Sequence, residues 1–572
     1  MEIDALRLFQ EGIANDDIEV KVQTVKKLSL VMKAIGEERV HDELVPYLTD
    51  LLEIEDDEIL YVLAEQIGNA WTHVSDKLTF LPILKILAKV DETIVREEAA
   101  KTMESIESSL SSKHVQTTFV PLVMELISQE WFTGRLTSSL LIPTAYPKAT
   151  NKQKEKLRLF YHRLCHDEMP MVRKAAASNI GKFAKNVEDE ILEGEIIPNY
   201  AELTQDEHDN IKLAATEKIH EFIELAPSSK ILLKVTKEAI SDKSWKIRHC
   251  IAKQINQIIK GFGKKIASNH ILDDLTTLLK DQEGEVRQEA VHSFTKCLNL
   301  LDKKKLELYL LPTLKETYKD DYANYKEGVA QSLCEVCSLL DDDEINASIT
   351  PILIEMLKDD SSIVKITVLE GLVKMSEHLG VKIFDQTLID CFKNTIKESA
   401  WRVRMSVYDL IGEIGLILGR QDFSETLEDI FLSYFSDKAA AIREKGIEKS
   451  IQLAEKFGSE WVSEKLLLKA FENYHNEEQG YLYRMCSLMT FEAVIKYISD
   501  SDFQTKFVPL LVKASQETVP NMRFCCARAL FNIRRAIDTS LYADELKEIV
   551  TRLRDDSDHD VKYWIKKVSQ GY

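Results

Sequence analysis

Between residues 166 and 185 the apolar side chains Val172, Ala176, Ile180 and Phe183 recur at spacings of four, four and three, with lysines and small residues between them. That 3.6-residue rhythm predicts a helix with one apolar stripe. Asp167 and Glu168, just before it, suit the positive end of a helix dipole, and Pro170 is tolerated only in a first turn. One stripe cannot bury itself, so the pattern calls for neighbours of its own kind. Aligned on the Val-Arg pair at 172–173, it recurs along the whole chain. The basic residue or its equivalent falls at 21, 60, 96, 135, 173, 212, 248, 287, 326, 365, 404, 443, 484, 523 and 562, in steps of 36 to 41 residues.

A second mark keeps the same register. Seven of the twelve prolines, Pro46, Pro82, Pro121, Pro198, Pro312, Pro351 and Pro509, each stand fourteen residues before the aligned position. Proline inside a helix removes a donor and bends the axis, so these mark a first, kinked helix in each unit. Each unit then reads as a helix A bearing the proline, a short polar turn, a helix B near the Val-Arg pair, and a looser connector. Gly261-Phe-Gly263 is one such connector and reads as a helix stop. No segment alternates with period two. The expected fold is all-α: an α-solenoid of about fifteen HEAT-type antiparallel helix pairs over residues 1–572, their stripes stacking into one ribbon of core.

Composition agrees and adds a direction. Apolar residues make up 45% and charged residues 30% of the 572 positions, as in a folded chain. The net charge of -21 argues against general nucleic-acid binding, which rests on Lys and Arg neutralising phosphates. The nine cysteines are scattered and read as free thiols in a reducing, intracellular compartment. The chain opens Met-Glu-Ile-Asp-Ala without a basic and apolar leader, and no apolar run is long enough to insert in a membrane.

Catalytic spacing is not found. There is no phosphate-binding glycine loop, no H-E-x-x-H and no nucleophile elbow, and neither cofactor nor metal is expected. Cys334 and Cys337 share a helix face with no second pair to complete a zinc site, and read as core thiols, as do Cys525 and Cys526. Paired acids such as Asp341 to Glu344 read as helix capping.

The turns carry what remains. Trp131, Trp245 and Trp401 lie three or four residues before an aligned position, so half of the six tryptophans fall where the chain should be polar. Tryptophan and arginine dominate interface hot spots, and three such placements favour binding. The aligned cations themselves, Arg173, Arg248, Arg287, Arg404 and Arg443, read better as a ladder, an Asp in one turn pairing with an Arg of the next unit to hold register.

With the turns laid out, the chain resembles the scaffold (A, or 65-kDa regulatory) subunits of protein phosphatase 2A. The phrases that carry the likeness are Glu130-Trp-Phe-Thr, Pro170-Met-Val-Arg-Lys, Asp242-Lys-Ser-Trp, Ala400-Trp-Arg-Val-Arg, Ala441-Ile-Arg-Glu, Glu455-Lys-Phe-Gly-Ser-Glu-Trp461 and Asp560-Val-Lys-Tyr. The resemblance implies a non-catalytic HEAT scaffold. Repeats 11–15, residues 398–572, would hold the phosphatase catalytic subunit through Trp401, Arg402, Tyr481, Leu482, Asn521 and Met522. Repeats 1–10, residues 1–397, would hold variable B-type regulatory subunits through Trp131, Glu168, Arg173, Lys174, Trp245 and Lys246. Lys174 and Lys246 stand where the family has Arg, losing a bidentate fork, and Ala440 stands where it has Tyr. The rival reading is a HEAT-type nuclear transport receptor or another acidic HEAT scaffold. The expected location is the cytoplasm, with the nucleus as a second compartment.

Overall fold

The computed structural model describes residues 4–53, 56–380, 384–476, 478, 480–536 and 543–569. Helix occupies 81% of the chain, and no strand occurs among the described residues. The chain packs as two compact units: Met1–Ser293 with Asn299–Lys305, and Phe294–Leu298 with Leu306–Tyr572. This is a division by packing, whereas the expected division at 397/398 is one by partner.

Within each unit the B helices succeed one another, each packed on the next and on the shorter A helices. Among the described residues fifteen B helices begin at 18, 57, 93, 132, 170, 209, 245, 284, 323, 362, 401, 440, 481, 520 and 559. Every one begins three residues before an aligned position, so the aligned residue, basic in all but Leu60, is always the fourth of its helix. The stripe is core as expected: Val172, Ala176, Ile180 and Phe183 have no exposed surface. The residue just before the cation points inward with it, as Val172, Ile247, Val403 and Val561 do.

The kinks of helix A have a specific form. Six of the seven aligned prolines follow a five-residue π turn, at Val40–Leu44, Val115–Phe119, Leu192–Ile196, Leu306–Leu310, Ile345–Ile349 and Phe503–Phe507. The N–H of the residue before the proline reaches back five residues, from Val45 to the Val40 carbonyl and from Val120 to that of Val115. A proline ring in a regular helix collides with the carbonyl four residues back, and one extra residue in the turn relieves this. Pro82 has no π turn before it, and the turn at Val462–Leu466 has no proline after it, so the two features are coupled but separable.

Connectors stop where glycine allows it. Gly263, with φ of 75°, breaks the axis of Trp245–His270, and Gly458, with φ of 82°, does the same inside Ala440–Trp461. Left-handed backbone of this kind costs any other L-residue about 1 kcal/mol or more.

Candidate protein-docking ridge

The turns before the B helices are built around one repeated polar unit. Arg173 sets its Nε 2.7 Å from Asp206 Oδ2 and its Nη2 3.2 Å from Asp206 Oδ1, in the turn of the following repeat. Its Nη1 donates back to the Asp167 carbonyl at 2.9 Å, in its own turn. Asp206 in turn accepts from the His208 N–H, fixing the turn that leads into helix Asp209–Thr216. The same fork joins Arg135 to Asp167, Arg248 to Asp281, Arg404 to Asp437 and Arg523 to Asp556. Lys212, Lys326 and Lys365 make simpler rungs to Asp242, Asp359 and Glu398.

These pairs are largely withdrawn from water, and their charges respond. The hydrogen bond from Arg523 holds the Asp556 carboxyl below the usual aspartate range, and the Asp206 and Asp281 carboxyls are held low against the opposing effect of burial. The ladder is therefore an inter-repeat clamp. Its guanidinium donors already face carbonyls and carboxylates of the chain itself. Arg173, expected on the regulatory-subunit side, is engaged in this way and has few donors left for a partner.

The residues just ahead of the ladder face outward. Trp245 and Trp401 are the first residues of their B helices, and Trp131 caps Phe132–Ala145. They are 41%, 37% and 59% exposed. Trp131 donates its indole N–H to Asp91 Oδ1 at 2.9 Å and leans on Phe132, so its ring is held in place while its surface stays open. The Arg402 guanidinium lies 4.7 Å from the Trp401 ring centre, a cation–π pair on an exposed turn. Trp245 meets His249 edge-on and borders a groove of about 630 Å³ that Lys246 and Lys253 also line. Glu168, Lys174, Lys246, Arg402, Leu482 and Asn521 are exposed, Tyr481 is half-buried, and Ala440 opens its helix in water.

Met522 does not belong with them. It is fully buried in helix Pro520–Ala536, in the position that Val403 and Val172 fill elsewhere. One residue along a helix turns the side chain by about 100°, so Asn521 and Met522 cannot face the same partner. Met522→Ala is expected to lower stability by about 2–5 kcal/mol as a core truncation. Asn521→Ala should leave thermal unfolding unchanged; equal effects of the two on unfolding would contradict this assignment.

The structure adds residues that the sequence reading passed over. Ile94, Met171 and Ile363 are each more than half exposed, and each is the second residue of its B helix, the place held by Leu482 and Arg402 in their helices. The available signal was an apolar residue two positions before an aligned cation. Away from the ridge, Cys334, Cys337, Cys525 and Cys526 are buried free thiols, and burial pushes Cys337 up to about 12. No helix among the described residues is long and apolar enough to cross a membrane.

Comparison with known proteins bears on this arrangement. The chain is 33% identical over 264 residues to the regulatory A-type subunit of protein phosphatase PP2A from Schizosaccharomyces pombe, covering 45% of each chain. It resembles the scaffold subunits of protein phosphatase 2A. The Dictyostelium discoideum "Protein phosphatase 2A scaffold subunit" is 38% identical over 191 residues, 33% of each chain. The Drosophila melanogaster "Serine/threonine-protein phosphatase PP2A 65 kDa regulatory subunit" is 38% identical over 185 residues, 32% of this chain and 31% of its own. The chain thus matches about a third to under half the length of these scaffold relatives. A family profile described as "PIK3R4-like, middle domain" matches residues 158–341. Among solved structures, Kap121p bound to Nup53p aligns at TM-score 0.59 and 12% identity, over 99% of this chain and 64% of that one. Kap95p in its RanGDP complex aligns at 0.56 and 10%, over 99% and 79%. At such identity these two share the helical-repeat fold alone.

Proposed function

We propose that this chain is a non-catalytic scaffold of a protein phosphatase 2A-type Ser/Thr phosphatase. Its turns in residues 398–572 hold the catalytic subunit, and turns within residues 1–397 hold interchangeable B-type regulatory subunits. One observation carries the reading: the ladder arginines are engaged within the chain, while tryptophan, arginine and aliphatic side chains at the starts of the B helices are left open to solvent. Such side chains make hot spots. Two partners on one chain meet at a raised effective concentration, so specificity comes from pairing and the chemistry belongs to the bound enzyme. The curated relatives named as scaffold and regulatory subunits support this reading. Placement in the cytoplasm and nucleus is part of the same proposal. The transport-receptor alternative draws only on a shared fold.

The test compares the immobilised full chain with a chain ending at Glu398, in a eukaryotic extract, for captured Ser/Thr phosphatase activity sensitive to okadaic acid. Activity held by the full chain and lost on truncation, with helical content of the remainder retained, is the expected result. Absence of captured activity on the folded full chain overturns it.

A further inference from the structure

In the second unit the ladder cations Lys326, Lys365, Arg404, Arg484 and Arg523 each meet a carboxylate, and Arg443 is buried, donating to the Asp437 and Lys438 carbonyls and lying over the Tyr483 ring. Helix His559–Ser569 differs. Lys562 stands at its ladder position, with Lys566 and Lys567 one turn further on, and among the described residues no carboxylate pairs with any of the three. Of the nearby acids, Asp556 holds Arg523 and Asp558 accepts from the Asp560 and Val561 N–H groups, while Asp555 and Asp560 are exposed at the N-terminal end of this helix, away from Lys566 and Lys567. Three lysines without an ion-pair partner among the described residues, on one short helix, stand out in a chain of net charge -21.

Beside them lies an aromatic cluster. Trp564 packs edge-on against Phe531 at 5.3 Å and Phe524 at 6.4 Å, both from helix Pro520–Ala536. Tyr563 is 56% exposed. The Lys567 ammonium is held 4.4 Å from the Tyr563 ring centre and 4.8 Å from that of Trp564. A lysine so placed is ordered in advance, and its charge is directed at whatever settles on the rings.

We propose that this cation–aromatic patch docks a short acidic segment of a partner protein, rich in Asp and Glu with an occasional large apolar side chain. Charge selects the acidic residues, Tyr563 and the edge of Trp564 receive the apolar one, and the three lysines set the spacing. A single-stranded nucleic acid would need open ring faces for its bases to stack on. Here Lys567 lies over one face of each ring and Trp564 is half-buried against Phe524 and Phe531, which leaves Tyr563 as a single open face and not a series of them. The proposal does not rest on the phosphatase reading, since it is argued from the charges and rings of this helix alone.

The probe is a fluorescein-labelled dodecapeptide of three Glu-Glu-Phe-Asp repeats, titrated with the full chain by fluorescence anisotropy. A Lys-Lys-Phe-Lys counterpart and a labelled oligothymidylate of equal length serve as comparisons. Saturable binding of the acidic peptide alone is expected, weakening about tenfold between low salt and about 0.5 M salt as screening predicts. The triple variant Lys562→Glu, Lys566→Glu, Lys567→Glu should lose about tenfold or more in affinity. Tyr563→Ser, a milder change, should lose about threefold. Lys264→Glu with Lys265→Glu, exposed lysines of the connector at Gly263, should bind as the parent does. Failure of the acidic peptide to bind, an equal loss in the connector variant, no loss in either the triple variant or Tyr563→Ser, or tighter binding of the oligothymidylate overturns the proposal.

Discussion

Asp437→Ala is expected to destabilise the second unit by about 3 kcal/mol, the range for removing one partner from a pair largely out of water. The Asp437 carboxylate takes both Nε and Nη2 of Arg404, at 2.8 and 2.9 Å, and also the Ala439 N–H that fixes the turn into helix Ala440–Trp461. Alanine leaves Arg404 charged and largely withdrawn from water, with the Glu398 and Ser399 carbonyls to face. Hydrogen exchange should accelerate in helices Trp401–Leu418 and Ala440–Trp461 before it does in the first unit, because stability in a stacked array is a sum of local and nearest-neighbour terms. Replacing both partners, Arg404→Met with Asp437→Leu, should cost less than the single change, since no unpaired charge remains. Unchanged exchange in Asp437→Ala would show that the ladder is decoration.

Trp401→Ala and Arg402→Ala are each expected to weaken catalytic-subunit binding by about 2 kcal/mol, close to thirtyfold, with helical content unchanged. Because Arg402 lies over the Trp401 ring, the two side chains should act as one feature, and the double variant should lose less than the sum of the singles. Biolayer interferometry of full-length variants against purified catalytic subunit reads this directly. Full affinity in both single variants would remove them from the ridge.

Much of this molecule is legible from the chain alone. Fifteen helix starts follow from one recurring Val-Arg pair, since an apolar stripe at helical spacing can be buried only by another stripe, and the cation must then fall at a constant place in the turn. The aligned prolines located the bends of helix A, because ring geometry acts within a single turn of backbone. The ladder could be anticipated from charges recurring at the repeat period.

Tertiary structure decided what each of those residues faces. Met522 and Asn521 are neighbours in sequence, yet the adjoining helices cover one and leave the other in water. Arg173 reads both as a ladder cation and as a docking residue, and it is the turn of the next repeat, bringing Asp206 to 2.7 Å, that engages it. Ile94, Met171 and Ile363 look like core residues by composition, and they are exposed because the second position of most B helices points away from the stack, Thr133 being a buried exception. Periodicity is a property of one chain segment, whereas burial and pairing are set by the segment about thirty-nine residues away that packs against it.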